Sequence, residues 1–346
     1  MGVARFTLPV FVVLLLLASH VAAAPGIALQ TTVAPAPDED VAAPCGYELT
    51  LVDPERPIKG VWVIFDRGRD MLRYYGDPDV QAFARRNDLA LMLAFHCRSK
   101  SNDGDIDVDP SKGLGRMLLA AIDQLAQASK HPELSKAGLI LTGFSGTGVL
   151  AARFPEFAPD RVRAVVTAAP GHADPLGIDT VRLSSRAASI PQLIIAGGSD
   201  PVSGTQRPYD YFFRHFEQGA PWAFVPQNNV PHCCAINAKG VVISWLEQVA
   251  VRPFDRSSGV YTFVQKVTSR INTCPEQQGT TLGPPGCQST TDTWGALNWQ
   301  AASAVFTPKS DPPRDMIAAG WLPNQLVGRE WVNFVRVPQQ PITSLP

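Results

Sequence analysis

Between residues 45 and 250, short apolar runs alternate with longer stretches whose apolar side chains recur every three or four positions. Val61-Trp-Val-Ile-Phe65 and Leu89 to Phe95 offer no polar face, so as strands they need cover on both sides. Further strands are predicted at the Leu139 run, about Arg163 to Ala168, Gln192 to Ala196 and Trp222 to Val225. Tyr47 to Val52 alternates more weakly ahead of a proline-bearing turn, Asp53 to Lys59. Between the strands, Leu114, Met117, Leu118, Ala121, Leu125 and Ala128 draw one helical stripe. Helices are also predicted near Asp79 to Arg86, up to Phe154, near Arg207 to Phe216 and near Ala238 to Ala250. Such alternation needs crossover connections, which give an α/β fold: a mostly parallel sheet with helices on both faces. Functional groups then gather at the carboxyl ends of the strands.

One strand end stands out. Leu139-Ile-Leu-Thr-Gly-Phe-Ser145-Gly-Thr-Gly-Val-Leu-Ala-Ala-Arg-Phe154 reads as a strand, a glycine-dense turn and a helix start. A sharp turn of this kind strains its apex residue and needs small neighbours, here Gly143, Gly146, Thr147 and Gly148. It presents the Ser145 hydroxyl at the positive end of a helix, beside N–H groups without intrahelical partners, where an oxyanion can be held. The alternatives are an ordinary glycine-rich βα turn and a phosphate-cradling loop, the latter wanting a lysine after its last glycine where Val149 stands. Asp200, closing the run from Leu193, and His232, after the run ending at Val225, also fall at carboxyl ends of predicted strands.

Gly143-Phe144-Ser145-Gly146-Thr147 resembles the nucleophile elbow of the α/β-hydrolase superfamily, with Thr147 in place of the usual last glycine and Gly148 directly after it. The chain order Ser145, Asp200, His232, with gaps of about 55 and 32 residues, is the order of that superfamily. The resemblance implies an imidazole at His232 that takes the Ser145 proton and an Asp200 carboxylate that holds the imidazole. It implies an oxyanion hole from the Gly146 N–H and an amide of the loop after Phe65, assigned to Arg67 with Asp66 as the alternative. That loop reads Asp66-Arg67-Gly68 where the superfamily often has His-Gly, so the Asp66 carboxylate is expected to point away, toward Arg67 or Arg69. The rival bases are His172 and His96, and the rival acid is Asp174. His131 and His215 are expected at the surface, and His20 in a leader.

Arg5, an apolar run from Phe6 to Ala18 and Val21-Ala-Ala-Ala24-Pro25 have the layout of a secretory signal peptide. The run is shorter than the roughly 20 residues a membrane span needs. The chain is therefore expected to be secreted or periplasmic. Its domains are expected as 1–24 leader, 25–44 flexible Pro/Ala-rich lead-in, 45–252 hydrolase core and 253–346 C-terminal extension packing on the core.

Six cysteines in an exported chain favour disulfides over thiolate chemistry. A zinc cluster from His96-Cys97 and His232-Cys233-Cys234 is the alternative, but in the superfamily strand order those loops leave strands several places apart. The resemblance makes the first core strand antiparallel, which brings Cys45 beside Cys97 and suggests their bridge. Cys233 and Cys234 would then pair with Cys274 and Cys287 or with each other. Trp294, Trp299, Trp321 and Trp331 are expected to bury against the core, with an aromatic wall of the cleft as the alternative, and Pro323 to Val335 is expected as a helix. The short segment between Ala168 and Gln192 predicts an open cleft without a large lid.

A chain of 346 residues with formal net charge −1 and no basic run offers neither a nucleic-acid groove nor an anionic-membrane surface. Within the superfamily the core looks most like the dienelactone-hydrolase and polyhydroxyalkanoate-depolymerase type. The implied activity is a serine esterase acting on a small-molecule or polymeric ester, with no cofactor and no metal. A secreted acyltransferase with the same triad and a non-catalytic hydrolase-like binding protein are the alternatives.

Overall fold

The computed structural model describes residues 26–66, 69–100, 109–170, 183–232, 236–250, 293–298, 301–307 and 315–337. Its strands are β1 (Ile27–Val33), β2 (Cys45–Leu51), β3 (Gly60–Phe65), β4 (Leu89–Phe95), β5 (Gly138–Phe144), β6 (Val162–Ala168), β7 (Gln192–Gly197), β8 (Ala223–Gln227), β9 (Thr293–Asn298), β10 (Ser303–Thr307) and β11 (Ile317–Leu322). They form one sheet in the order β1-β2-β4-β3-β5-β6-β7-β8-β11-β9-β10. From β4 to β8 neighbouring strands run parallel, while β2 joins β4 antiparallel. This is the mostly parallel sheet the resemblance implies. The helices are α1 (Arg69–Gly76), α2 (Pro78–Arg86), α3 (Leu114–Ser129), α4 (Gly146–Phe157), α5 (Ser185–Ala188), α6 (Gln206–Glu217), α7 (Lys239–Val249) and α8 (Gln325–Arg336).

β3 explains why central strands read as continuous apolar runs: all six of its residues are buried. Alternate side chains point to opposite faces. Trp62 meets Tyr74 of α1 and Phe83 of α2 edge-on at 6.0 and 5.4 Å, while Phe65 lies 6.5 Å from Phe154 of α4. Val61 and Val63 join Met117, Leu118 and Leu150 in the core on the Phe65 side. Helix ends follow local chemistry as well. Asp77 caps α2 by accepting from the Asp79 N–H at 2.9 Å, with Pro78 in the first turn.

The structure departs from the sequence reading at both ends of the sheet. The lead-in read as flexible holds β1, which pairs antiparallel with β2 along its whole length. Glu39 and Arg116 clamp this segment to α3 at 2.5 Å, and the Arg116 guanidinium holds the Glu39 carboxyl below the usual glutamate range. The Pro/Ala-rich flanks hide a β-branched run, Ile27-Ala-Leu-Gln-Thr-Thr-Val33. At the other edge, the C-terminal extension continues the sheet: β11 runs antiparallel to β8, and the Trp321 N–H donates to the Trp222 carbonyl at 2.8 Å. Gly320 makes that approach possible at φ 99°, since a Cβ there would run into the Trp222 carbonyl. Trp331 is fully buried and donates its indole N–H to the Phe224 carbonyl at 2.8 Å; Trp321 is buried and Trp294 packs on the core. Burial pushes the Tyr209 phenol up to about 12, and its hydroxyl donates to the Ala318 carbonyl at 3.0 Å.

Cys45 and Cys97 form a disulfide, with Cα atoms 4.7 Å apart. This is the expected bridge, and it removes Cys97 as a zinc thiolate. Cys233, Cys234, Cys274, Cys287 and Trp299 lie outside the described residues, as does the expected leader; of the segment between Ala168 and Gln192, read as too short for a lid, residues 171–182 lie outside them and the rest carries α5. No helix among the described residues is long and apolar enough to cross a membrane.

Candidate active site

The turn from β5 into α4 is built around Ser145, which takes φ 55° and ψ −126° at the helix N-cap. Side chains rarely adopt such a conformation. Gly143 must lack a side chain, because a Cβ there would collide with the Thr147 carbonyl. Thr147, the departure from the usual glycine, fits because its hydroxyl works inside the turn: it accepts from the Phe144 N–H at 2.9 Å and donates to the Phe144 carbonyl at 2.8 Å. The Ser145 N–H donates to the Ala168 carbonyl at 2.8 Å, tying the apex to the end of β6.

Two loops bring the remaining groups to this hydroxyl. The loops after β7 and β8 are stitched together by the Gly198 N–H donating to the Gln227 carbonyl at 2.8 Å and the Ser199 N–H donating to the Val230 carbonyl at 3.0 Å. These bonds set Asp200 opposite His232. His232 Nδ1 lies 2.8 Å from Asp200 Oδ2, and His232 Nε2 lies 3.0 Å from Ser145 Oγ. The Phe144 ring stands 5.1 Å from the imidazole at 40°.

The Asp200 side chain is 0% exposed, against 14% for His232. A buried carboxylate is costly unless its lone pairs are used. Here Oδ1 accepts the N–H groups of Val202 and Ser203, both at 2.8 Å, and Oδ2 faces the imidazole. A buried negative charge thus sits behind a half-buried imidazole, whose far nitrogen meets a serine hydroxyl at the mouth of a helix. That row can deprotonate a hydroxyl and hold the resulting positive imidazole.

Gly146 is the first residue of α4, so its N–H has no intrahelical acceptor. Arg67 lies outside the described residues. The Asp66 N–H donates to the Ala94 carbonyl at 2.8 Å, which commits that alternative amide to the sheet. The expected pairing of Asp66 with Arg67 or Arg69 lies outside what is described.

His172 and Asp174 also lie outside the described residues. His96 is exposed at the end of β4, two strands from β5, with its ring edge-on to Phe95. His131 and His215 are not surface residues. His215 is 4% exposed, with its ring 4.5 Å from Trp222, because α6 turns its aromatic face toward β8. His131 is half-buried between Glu133 and the Pro54 carbonyl.

Sequence reasoning missed Ser203, whose hydroxyl lies 3.0 Å from His232 Nδ1 and whose N–H binds Asp200. The signal was present in Asp200-Pro-Val-Ser203, since an Asp side chain readily caps N–H groups two and three residues ahead. Among the described residues, no group of three or more His, Cys, Asp or Glu side chains is gathered to hold a metal ion.

No family model matches the chain, and no curated protein matches it. Solved structures similar to it include FphF, a fluorophosphonate-binding serine hydrolase of Staphylococcus aureus, at 15% identity and TM-score 0.44, covering 64% of this chain and 98% of that one. A fungal esterase from Rhizomucor miehei is similar at 13% identity and TM-score 0.43, covering 72% and 84%. A cold-adapted esterase from an Arctic intertidal metagenomic library is similar at 12% identity and TM-score 0.45, covering 65% and 95%. These likenesses are distant, and the roles assigned below rest on this chain's own geometry.

Proposed function

We propose that this chain is an exported serine hydrolase that cleaves carboxylic esters through an acyl-enzyme. The observation that carries the reading is the hydrogen-bonded row from Ser145 Oγ to His232 Nε2 at 3.0 Å and from His232 Nδ1 to Asp200 Oδ2 at 2.8 Å. In this reading Ser145 Oγ attacks the ester carbonyl carbon while its proton passes to His232 Nε2. The carbonyl oxygen becomes an oxyanion held by the Gly146 N–H and, in our assignment, the Arg67 N–H. Loss of one such donor typically costs about 10²–10³ in turnover. The intermediate collapses, the C–O bond to the alcohol breaks, and the leaving oxygen takes the proton from Nε2. Water then repeats the sequence on the acyl-enzyme, releasing the acid and restoring Ser145. Asp200 keeps the imidazole oriented and stabilises its charged form. The leader-like residues 1–24 and the Cys45–Cys97 bridge support export to an oxidising compartment.

A chain-length panel of nitrophenyl esters tests the reading and defines the acyl group accepted. Turnover with an initial burst is expected, and it should vanish in Ser145→Ala. Binding without product would favour the non-catalytic alternative; a product carrying an added alcohol in place of the free acid would favour the acyltransferase.

A further inference from the structure

His232 Nδ1 has two oxygen neighbours, Asp200 Oδ2 at 2.8 Å and Ser203 Oγ at 3.0 Å. An ionised carboxylate has no proton to give. The single hydroxyl proton of Ser203 is directed at the Ala169 carbonyl, 3.1 Å away, which can only accept. Both neighbours of Nδ1 are therefore acceptors, so Nδ1 carries the proton and Nε2 keeps its lone pair for the Ser145 hydroxyl.

We propose that Ser203 is a positioning residue: its hydroxyl, turned by the Ala169 carbonyl, is a second acceptor for the His232 Nδ1 proton and fixes the tautomer and plane of the imidazole. The hydroxyl is well placed for this. Ser203 is buried, and its own N–H is anchored on Asp200 Oδ1 at 2.8 Å. Ala169, at φ 43°, is in turn held by its N–H on the Ile195 carbonyl at 2.7 Å. The chain of bonds runs from β7 through Ala169 and the Ser203 hydroxyl to the imidazole, a second route beside the direct Asp200 contact, although the Ser203 backbone shares Asp200 as its anchor. Among the described residues, the groups facing the ring are Ser145 and Phe144 from the elbow and Asp200 and Ser203 from the loop after β7, and the charged one is Asp200. A neutral second acceptor adds hydrogen bonding to the imidazolium without adding another buried charge.

The effect on rate rests on the esterase reading; the hydrogen bond itself does not, and the test separates them. Ser203→Ala and Ser203→Cys, the latter keeping the volume with a poor acceptor, are compared with the wild type, with Asp200→Ala and with Asp200→Ala/Ser203→Ala. Each protein is followed by ester kinetics over pH and by proton NMR of the His232 ring N–H. Both Ser203 variants are expected to lower kcat about 5- to 10-fold with KM unchanged. They should also move the acid limb of kcat to lower pH, because removal of an acceptor disfavours the charged imidazole. In the Asp200→Ala background the Ser203 change should remove about a further 10-fold, since Ser203 is then the remaining Nδ1 acceptor. The Nδ1–H resonance should shift and exchange faster in either Ser203 variant. An unchanged resonance overturns the proposal, as does a loss of kcat with no movement of the acid limb. Wild type that neither turns over esters nor labels at Ser145 would sink the esterase reading alone, leaving the resonance to decide the role of Ser203.

Discussion

Ser145 has a backbone that costs the protein stability, about 1–3 kcal/mol for a non-glycine residue in so sparsely populated a region. Ser145→Gly is therefore expected to abolish turnover and yet raise the unfolding free energy by about 1 kcal/mol, the strain released less the extra chain entropy of glycine. Thermal unfolding checks this; a lowered Tm would mean that the turn is not strained. Gly143→Ala should instead cost fold stability as well as activity, because its Cβ has no room beside the Thr147 carbonyl. Asp200→Asn keeps the shape of the site but offers Nδ1 an ambiguous partner, and kcat is expected to fall by about 10⁴. A fall of less than about tenfold would deny Asp200 its part.

Among the elements, the edges carry the instructive cases. α8 is bound to the core through Trp331, and the side-chain amide of Asn228, in the loop that carries His232, donates to the Val335 carbonyl. Trp331→Ala should cost about 3–5 kcal/mol, measured by denaturant unfolding. A cost below about 1 kcal/mol would show that α8 only leans on the sheet. At the opposite edge Glu39, its carboxyl held low by Arg116, anchors the segment carrying β1. A folded-state value below the unfolded one gives stability that is present above the ordinary glutamate range and is lost as pH falls through the lowered value. The stability difference between wild type and Glu39→Gln should therefore be largest near neutrality and vanish in acid. A difference that ignores pH would contradict the pairing. β3, β4 and β7 were legible because burial on both faces leaves a continuous apolar run. β9 to β11, with Gly295, Ala296, Ala318 and Gly320 among their residues, carry no such signature, because they pair locally with one another and their place in the sheet is set by β11 meeting β8 across a long sequence distance.

For the molecule as a whole, the parallel sheet gathers at one edge what the sequence scatters. Ser145, Asp200 and His232 were legible because strand ends, chain order and a glycine-dense turn each point to the same place. Ser203 was legible only in part: the Asp200-Pro-Val-Ser203 spacing signals its N–H on Asp200, but its proposed part depends on the direction of a single hydroxyl proton, which no spacing records. Reduction of the Cys45–Cys97 bridge, which closes a separation of 52 residues, should cost about 4 kcal/mol in the chain-entropy view, so the protein should lose Tm in dithiothreitol. The central claim is that one hydroxyl among the many serines is activated by its imidazole. A fluorophosphonate probe followed by peptide mass mapping tests it most directly. A single adduct on Ser145 is expected in the wild type, with none in Ser145→Ala and slowed labelling in His232→Ala. Labelling that persists in Ser145→Ala, or a wild type that takes no label, would contradict it.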